Sequence, residues 1–176
     1  IIPCFKENGQ SGIPDDLPRE RRIYGMDSVT DFSKPVFIVE GEKCAHALHG
    51  LGYQAIPSLG GSGQGHMADW SVIAAAERVY ILPDNDETGW KYARGVYERV
   101  KGFNKVSDLR VLRLSQYDKG DVCDYLTDII ELSGWNGLDS LHRHPAREAA
   151  KTAFERYMQE NLESIPAAWA FIVTKS

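Results

Sequence analysis

The sequence predicts an α/β fold in which a central four-stranded parallel sheet is flanked by helices. Four short apolar runs alternate along the chain with stretches of helical periodicity, a pattern typical of β-α-β units. The first run, Pro35 to Val39, is apolar without a break, as expected of a strand that is buried on both faces. The chain has 176 residues and is 43% hydrophobic, which suffices for one domain with a buried core.

Each predicted element follows from periodicity and from the glycine and proline residues that interrupt it. The first helix, for example, is stopped by Gly50 and Gly52, and the third strand ends at Pro83. The predicted strands cover residues 35–39, 54–57, 79–82 and 109–114. The predicted helices cover residues 43–51, 67–76, 88–101, 121–132 and 145–161.

Changes in composition divide the chain into three parts. Residues 1–33 are interrupted by proline and glycine and predict an irregular lead-in segment. Residues 34–133 carry the alternating elements and predict the main domain. Residues 134–176 predict a C-terminal helical appendage with an apolar tail. Because the first residue is Ile1 rather than Met, we expect the chain to be a piece of a longer protein.

The composition argues against several classes of protein. No apolar run reaches the roughly 18 residues that a membrane-spanning helix needs, and no signal peptide opens the sequence, so we expect a cytoplasmic protein without membrane contact. The net charge of −5 argues against a protein that holds DNA mainly through a broad basic surface. The three cysteines, Cys4, Cys44 and Cys123, lie far apart and predict neither a disulfide framework nor a cysteine-based zinc site.

Acidic residues follow three of the four predicted strands. Glu40 ends the first strand, and Asp84 and Asp86 follow the third. The fourth strand is followed by Asp121, with Asp124 one helical turn later. Because parallel strands end at one edge of a sheet, where ligands of α/β proteins bind, these carboxylates are expected to converge. Crowded carboxylates repel one another unless a cation neutralises them, and such oxygen ligands select Mg²⁺ or Mn²⁺.

Each of these acids also has a simpler interpretation. Glu40 alone is typical of a helix cap or a solvated turn. Asp84 or Asp86 alone would cap the helix that follows. Asp121 and Asp124 alone would form an acidic first helical turn, which the helix dipole favours. The metal-site hypothesis therefore depends on the recurrence of acids at one structural position rather than on any single residue.

Basic residues near these acids give weaker candidates. Lys43 lies at the start of the helix beside Glu40 and is either a phosphate contact or a solvated side chain. The cluster Arg19, Arg21 and Arg22 is either a contact to a nucleic-acid template or nucleotide, or part of a solvated loop.

The glycine-rich loop over residues 60–65 is a further candidate for phosphate contact. It lacks the Lys-Ser/Thr pair of a P-loop and the spacing of GxGxxG, so neither of those nucleotide-binding motifs is present. With Gly61 and Gly63 the loop either approaches phosphates or serves as a flexible connector.

Several segments resemble the Toprim domain, most closely the version in phage- and plasmid-type DNA primases and primase-helicases. Val36–Lys43 is a hydrophobic strand that ends in Glu-Gly, and Ile81–Gly89 contains Asp-x-Asp-x-x-Gly after a later strand. The segment Lys119–Leu126 (Lys-Gly-Asp-Val-Cys-Asp-Tyr-Leu) matches a third motif of these proteins. Ile23–Met26 is similar to the short lead-in that they carry before the first strand.

The resemblance implies a Rossmann-like fold and a set of site residues. It implies that Glu40 is the catalytic Glu, which acts as an acid or base at a sugar hydroxyl in polymerising and strand-rejoining members. It also implies that Asp84 and Asp86 are the metal-binding Asp-x-Asp, and that Asp121 is the further acid that helps primases to hold the ions. The chain departs from many bacterial and phage primases at Cys44, where those proteins have Asp.

On this resemblance, we expect the catalytic domain of a DNA primase from a phage, plasmid or integrated element. It would use Mg²⁺ or Mn²⁺ to join NTPs into RNA primers on a single-stranded DNA template. Because the sequence has neither a zinc motif nor a Walker sequence, we expect a helicase module or other template-binding modules in the same protein or as partners. Two alternatives stay open: a metal-dependent Toprim nuclease, and a degenerate Toprim module that binds nucleic acid or a protein partner.

Overall fold

Parallel strands form the centre of the sheet in the computed structural model, which confirms the predicted fold class. The structure describes residues 5–7, 10–12, 23–58, 65, 68–112, 119–129 and 141–164. In chain order, its strands are β1 (Phe5–Glu7), β2 (Gln10–Gly12), β3 (Val36–Val39), β4 (Gln54–Pro57), β5 (Arg78–Leu82), β6 (Asp108–Leu112) and β7 (Leu162–Ser164). The main sheet has the spatial order β4-β3-β5-β6-β7, and the four strands β3 to β6 are parallel.

Helices cover both faces of this sheet. The described helices are α1 (Glu42–Leu51), α2 (Glu87–Val100), α3 (Val122–Ile129) and α4 (Arg147–Asn161). Helix α1 ends at Gly52, whose φ of 91° lies in the left-handed region that glycine adopts without strain. This glycine therefore stops the helix where the sequence predicts the stop.

Strand β3 is buried on both faces. Phe37 and Val39 pack with α1, α3 and α4, whereas Val36 and Ile38 pack with α2 and with a 3₁₀ turn over Trp70–Ile73. None of the four strand side chains is more than 1% exposed. Burial on both faces explains why this run is apolar at every position rather than at every second one.

The strand order reverses between β3 and β5. From β3 the chain moves outward to β4, and from β5 it moves outward to β6 on the other side. The crevice at such a switch point, beyond the carboxyl ends of the strands, is where open α/β sheets bind ligands. The register pairs Val39 with Leu82, so the residues that follow these two, Glu40 and the pair Pro83 and Asp84, leave the sheet side by side.

The prediction of an α-helix over residues 67–76 was wrong. Its described part, from residue 68, contains only the 3₁₀ turn at Trp70–Ile73. The carboxylate of Asp69 accepts hydrogen bonds from the backbone N–H and the hydroxyl of Ser71, and this local pairing stabilises a short turn. Because β5 begins at Arg78, the chain has no length left for further helical turns.

The two ends of the chain also differ from the prediction. The lead-in contains a short antiparallel pair, with Phe5 opposite Gly12, where only irregular structure was expected. The C-terminal part contributes β7, which pairs antiparallel with β6 and opposes Leu162 to Leu112. The predicted strand and helix ends at 113–114 and 130–132, and the apolar tail, lie outside the described residues.

Helix α4 packs on the sheet face that α1 and α3 cover. Its Ala150 and Phe154 are fully buried, and the Phe154 ring lies 5.6 Å from that of Tyr53 and 6.3 Å from that of Phe37. The division into three parts at residues 33 and 133 stays a prediction. Among the described helices, none is both long enough and apolar enough to cross a bilayer.

Candidate functional site

Glu40 lies at the switch point, directly after β3. Its side chain is 7% exposed, and its Oε1 accepts a hydrogen bond of 2.9 Å from the backbone N–H of Asp84. The pairing of β3 with β5 produces this contact, because it aligns the carboxyl ends of the two strands. Glu40 therefore faces the predicted metal-binding acids, which lie more than forty residues away in the sequence.

The turn after β5 carries Asp84 and Asp86. The backbone carbonyl of Asp84 accepts from Asp86 N–H at 2.8 Å, and the Asp86 carboxylate accepts from Gly89 N–H at 2.8 Å. Asp86 is therefore the N-cap of α2, as the simpler interpretation of the sequence has it. A capping carboxylate still has further lone pairs to offer a cation, so this role does not exclude metal binding.

Gly89, in the first turn of α2, allows the helix to lie directly against these acids. A Cβ atom at this position would lie 2.2 Å from the backbone oxygen of Asp84 and 2.5 Å from Oε1 of Glu40. Only glycine fits this approach. The motif Asp-x-Asp-x-x-Gly contained the signal for this role, although the reason for its glycine was not visible in the sequence.

The loop before α3 is tied to the same turn. Asn85 donates its backbone N–H to Gly120 at 3.0 Å, and Lys119 donates its backbone N–H to Asn85 at 3.1 Å. These two bonds hold the loop beside the turn after β5, although Lys119 must adopt a φ of 57°. The contact brings Asp121 to the acidic cluster formed by Glu40 and Asp84.

Asp121 and Asp124 cap α3 reciprocally. Oδ1 of Asp121 accepts from the backbone N–H groups of Cys123 at 2.6 Å and Asp124 at 2.9 Å, and Oδ2 of Asp124 accepts from Asp121 N–H at 2.9 Å. The other oxygen of Asp121, Oδ2, lies 3.8 Å from Nζ of Lys43. Lys43 thus forms an ion pair at the edge of the cluster.

Burial and neighbouring negative charge raise the pKa values of Asp84 and Glu40. Burial, followed by the charges of Glu40 and Asp121 and then of the neighbouring aspartates, raises the pKa of Asp84 to about 7. Burial also raises the pKa of Glu40, although the hydrogen bond from Asp84 N–H favours the ionised carboxylate. In both residues the charges of nearby acids add to the effect of burial. Carboxylates under this repulsion fit a hard divalent cation such as Mg²⁺.

Two cysteines that lie far apart in the sequence meet beside the acids. Sγ of Cys44, in α1, lies 3.9 Å from Sγ of Cys123, in α3, and both side chains are buried. Both cysteines are free, in agreement with the expectation of no disulfide, and the fold brings them together despite their separation in the sequence. Ligand atoms of Cys44, Cys123 and Asp121 lie within 4.8 Å of one another, so these three residues could hold a metal ion.

The remaining candidates cannot be placed. Arg19, Arg21, Arg22, Gly61 and Gly63 lie outside the described residues. The site that is described therefore consists of acids from three chain segments, Lys43, and the cysteine pair.

Comparison with known proteins finds a relative of the chain. A UPF0292 protein from Pyrococcus furiosus is 36% identical over 107 residues, which cover 60% of this chain and 77% of that protein. The chain belongs to the UPF0292 family. No protein-family profile matches the sequence.

A solved structure is also similar to this UPF0292 chain. That structure contains the bacteriophage T7 lagging-strand DNA polymerase with primase domains of two gp4 subunits, an RNA/DNA hybrid and dTTP. The similarity has a TM-score of 0.37 at 19% identity and covers 53% of this chain. The chain spans about half of that solved chain, 48% of its length.

The raised pKa of Asp84 predicts how the stability of this UPF0292 chain depends on pH. Between its ordinary pKa of 3.8 and its folded pKa of about 7, the folded state binds the proton more tightly than the unfolded state. The contribution of Asp84 is therefore most favourable below about pH 4 and is lost as the pH rises through about 7. The difference between the two pKa values corresponds to about 4 kcal/mol, and because Asp84 is only partly buried, solvent screening reduces the expected loss in the free energy of unfolding to on the order of 2 kcal/mol.

The measurement is urea denaturation of wild type and Asp84→Asn, in EDTA, at a series of pH values. The wild type should lose stability relative to the variant as the pH rises. Glu40 keeps its own raised pKa in the variant, so a smaller slope should remain there. Asp128→Asn, an exposed change on α3, is the matched control and should follow the wild type. Parallel curves for wild type and Asp84→Asn would refute the raised pKa of Asp84.

Proposed function

We propose that the chain is the catalytic Toprim domain of a DNA primase, which makes RNA primers on single-stranded DNA by Mg²⁺-dependent nucleotidyl transfer. The observation that carries this proposal is the placement of Glu40. Its carboxylate lies at the switch point and is oriented by Asp84 N–H beside acids from two other segments. The resemblance of those segments to Toprim motifs supplies the reaction class.

The proposed roles follow from a difference in burial: Glu40 is buried, whereas Asp84 and Asp86 are half-buried. Glu40 is buried and has a raised pKa, so it can accept a proton from the attacking 3′-hydroxyl of the primer and retain it. Asp84 and Asp86 would hold the cation, with Asp121 as a further acid and Asp124 as an additional candidate. When bound, Mg²⁺ would supply charge neutralisation for the triphosphate.

Of the described residues, Lys43 supplies positive charge beside the acidic cluster. Lys43 is 45% exposed and lies at the edge of the acidic cluster, so it is the described candidate for a phosphate contact. With a net charge of −5, the chain would depend on other modules for template binding, and we propose a helicase or basic module in the same protein or as a partner. We place this reaction in the cytoplasm, where NTPs are available.

A degenerate Toprim module that binds nucleic acid or a protein partner is the second candidate, and one observation favours it. Cys44 stands where many primases have Asp, and its thiol is buried against Cys123. A module that lacks this acid would keep the Toprim fold but would not catalyse primer synthesis. The same carboxylates would also suit a metal-dependent nuclease.

Binding of Mn²⁺ tests the proposed cation site directly. Titration into the wild type should show saturable binding, whereas Asp84→Asn/Asp86→Asn should lose it at the same concentrations. Asn retains the capping ability of Asp86, so the double variant should fold. The control is Asp128→Asn, which should bind like the wild type. Equal binding by the double variant would remove the cation from the proposal.

Activity assays separate the three candidates. The full-length protein is supplied with Mg²⁺, NTPs and single-stranded DNA, and in parallel with labelled DNA alone. Primer synthesis supports the primase, and cleavage supports the nuclease instead. Mn²⁺ binding without either activity supports the degenerate module.

A further inference from the structure

The thiols of Cys44 and Cys123 lie in the first turns of α1 and α3, where the two helices approach each other. The side chains are 5% and 2% exposed, and their Sγ atoms are 3.9 Å apart. The proposed primase reaction uses neither residue. The pair therefore needs its own explanation.

The sulfur separation agrees with a shared metal ion. Two thiolates bound to one tetrahedral Zn²⁺, with Zn–S bonds of about 2.3 Å, lie about 3.8 Å apart. A disulfide requires about 2.05 Å between the sulfurs. The observed distance of 3.9 Å, at which the Cys123 thiol donates a hydrogen bond to Cys44 Sγ, also matches the separation of two ligands of one ion. Closing a disulfide would need the sulfurs to approach further.

Asp121 supplies a third donor of fixed orientation. A carboxylate oxygen of this residue lies within 4.8 Å of both sulfurs. The Asp121 carboxylate is held by the backbone N–H groups of Cys123 and Asp124, so its direction does not depend on a bound ion. Orientation of a ligand by such hydrogen bonds is typical of metal sites in proteins.

The charges of this group also balance. Two thiolates and one carboxylate carry three negative charges, and a divalent cation with the Lys43 ammonium, 3.8 Å from Asp121, carries three positive ones. Buried charge is tolerated when it is neutralised in this way. Three protein ligands would leave the fourth tetrahedral position to water or a substrate atom.

We infer that Cys44, Cys123 and Asp121 form a site for a thiophilic divalent cation of the Zn²⁺ class. This site is chemically different from the oxygen-ligand site of Asp84 and Asp86. Soft thiolates select Zn²⁺ and Co²⁺, whereas carboxylates alone select Mg²⁺ and Mn²⁺. The two sites share only Asp121, and the inference does not depend on the primase proposal.

Titration with Co²⁺ under reducing conditions tests the site, because thiolate ligands give Co²⁺ an intense charge-transfer band. The wild type should develop this band with one equivalent of Co²⁺ and lose it when Zn²⁺ is added. Cys44→Ser or Cys123→Ser should weaken binding roughly 100-fold or more. Asp128→Asn, an exposed change on α3, is the control and should bind like the wild type. Asp84→Asn should keep the band, which distinguishes this site from the Mg²⁺ site.

A measurement without variants covers the case in which a serine variant fails to fold. Alkylation of the wild type in moderate urea, which opens the protein enough to expose the buried thiols, is mapped by peptide mass spectrometry and should be slower at Cys44 and Cys123 when Zn²⁺ is present. Absence of both the Co²⁺ band and this protection would overturn the inference. A Cys44–Cys123 disulfide that forms with oxidised glutathione even in the presence of excess Zn²⁺ would overturn it as well, and would make the pair a redox couple.

Discussion

Replacing Glu40 by Gln should lower the rate of Mg²⁺-dependent primer synthesis roughly 10²–10⁴-fold, the range that a general base contributes. Gln has nearly the same shape, and its amide oxygen can still accept the hydrogen bond from Asp84 N–H. It cannot accept a proton from the 3′-hydroxyl. The loss should therefore appear in kcat, with little change in KM for the NTP, in steady-state assays of the full-length protein.

The control for Glu40→Gln is Glu87→Gln, the same substitution in the first turn of α2. The Glu87 side chain is 83% exposed and pairs with Lys91, so its removal should leave the rate unchanged. Urea denaturation adds an independent readout, because removing a negative charge from the acidic cluster should stabilise the metal-free protein. If Glu40→Gln kept the wild-type kcat, the proton-accepting role of Glu40 would be wrong.

The strands and their acidic ends were predictable because their signals are local. A strand buried on both faces must be apolar throughout, as Val36–Val39 is, and the residue after it leaves the sheet at a known edge. The rule that parallel strands end together then placed Glu40 and Asp84 at one edge, and the 2.9 Å hydrogen bond from Asp84 N–H to Glu40 Oε1 agrees with it. Placing these acids together required only the sheet topology and no knowledge of side-chain packing.

The cysteine pair could not be predicted in this way. Cys44 and Cys123 are separated by 79 positions, and each alone has the pattern of an ordinary core residue. Only the packing of α1 against α3 brings their sulfurs together. Their meeting is a long-range contact, and such contacts leave no periodic signal in one sequence.

The capping aspartates show a different limit. Asp86 and Asp121 have the residue type that suits both an N-cap and a cation ligand, and the structure places both in capping geometry. The sequence could not separate the two roles because the same carboxylate orientation serves both. Titration with Mn²⁺ distinguishes them, since Asn retains the cap and loses the charge.

Gly89→Ala should destabilise the protein by about 3 kcal/mol or more, because a well-packed interior relaxes little around an added methyl group. The new Cβ would lie 2.2 Å from Asp84 O and 2.5 Å from Glu40 Oε1, so α2 must move away from the sheet or Glu40 must leave its hydrogen bond. Helix propensity alone favours Ala over Gly by about 1 kcal/mol. The predicted destabilisation is therefore opposite in sign to the effect of helix propensity. Thermal or urea denaturation shows directly whether Gly89→Ala lowers or raises the stability.

Gly102→Ala is the matched control, since a Cβ there has no atom within 4 Å. We expect its stability to lie within about 0.5 kcal/mol of wild type. Gly89→Ala should also weaken Mn²⁺ binding, because the new Cβ would displace Asp84 and Glu40, which belong to the acidic cluster. Gly102→Ala should bind Mn²⁺ like the wild type. A Gly89→Ala protein with wild-type stability and Mn²⁺ affinity would mean that α2 does not lie directly against Glu40 and Asp84. The crowded charge inferred at these residues would then lack its structural cause.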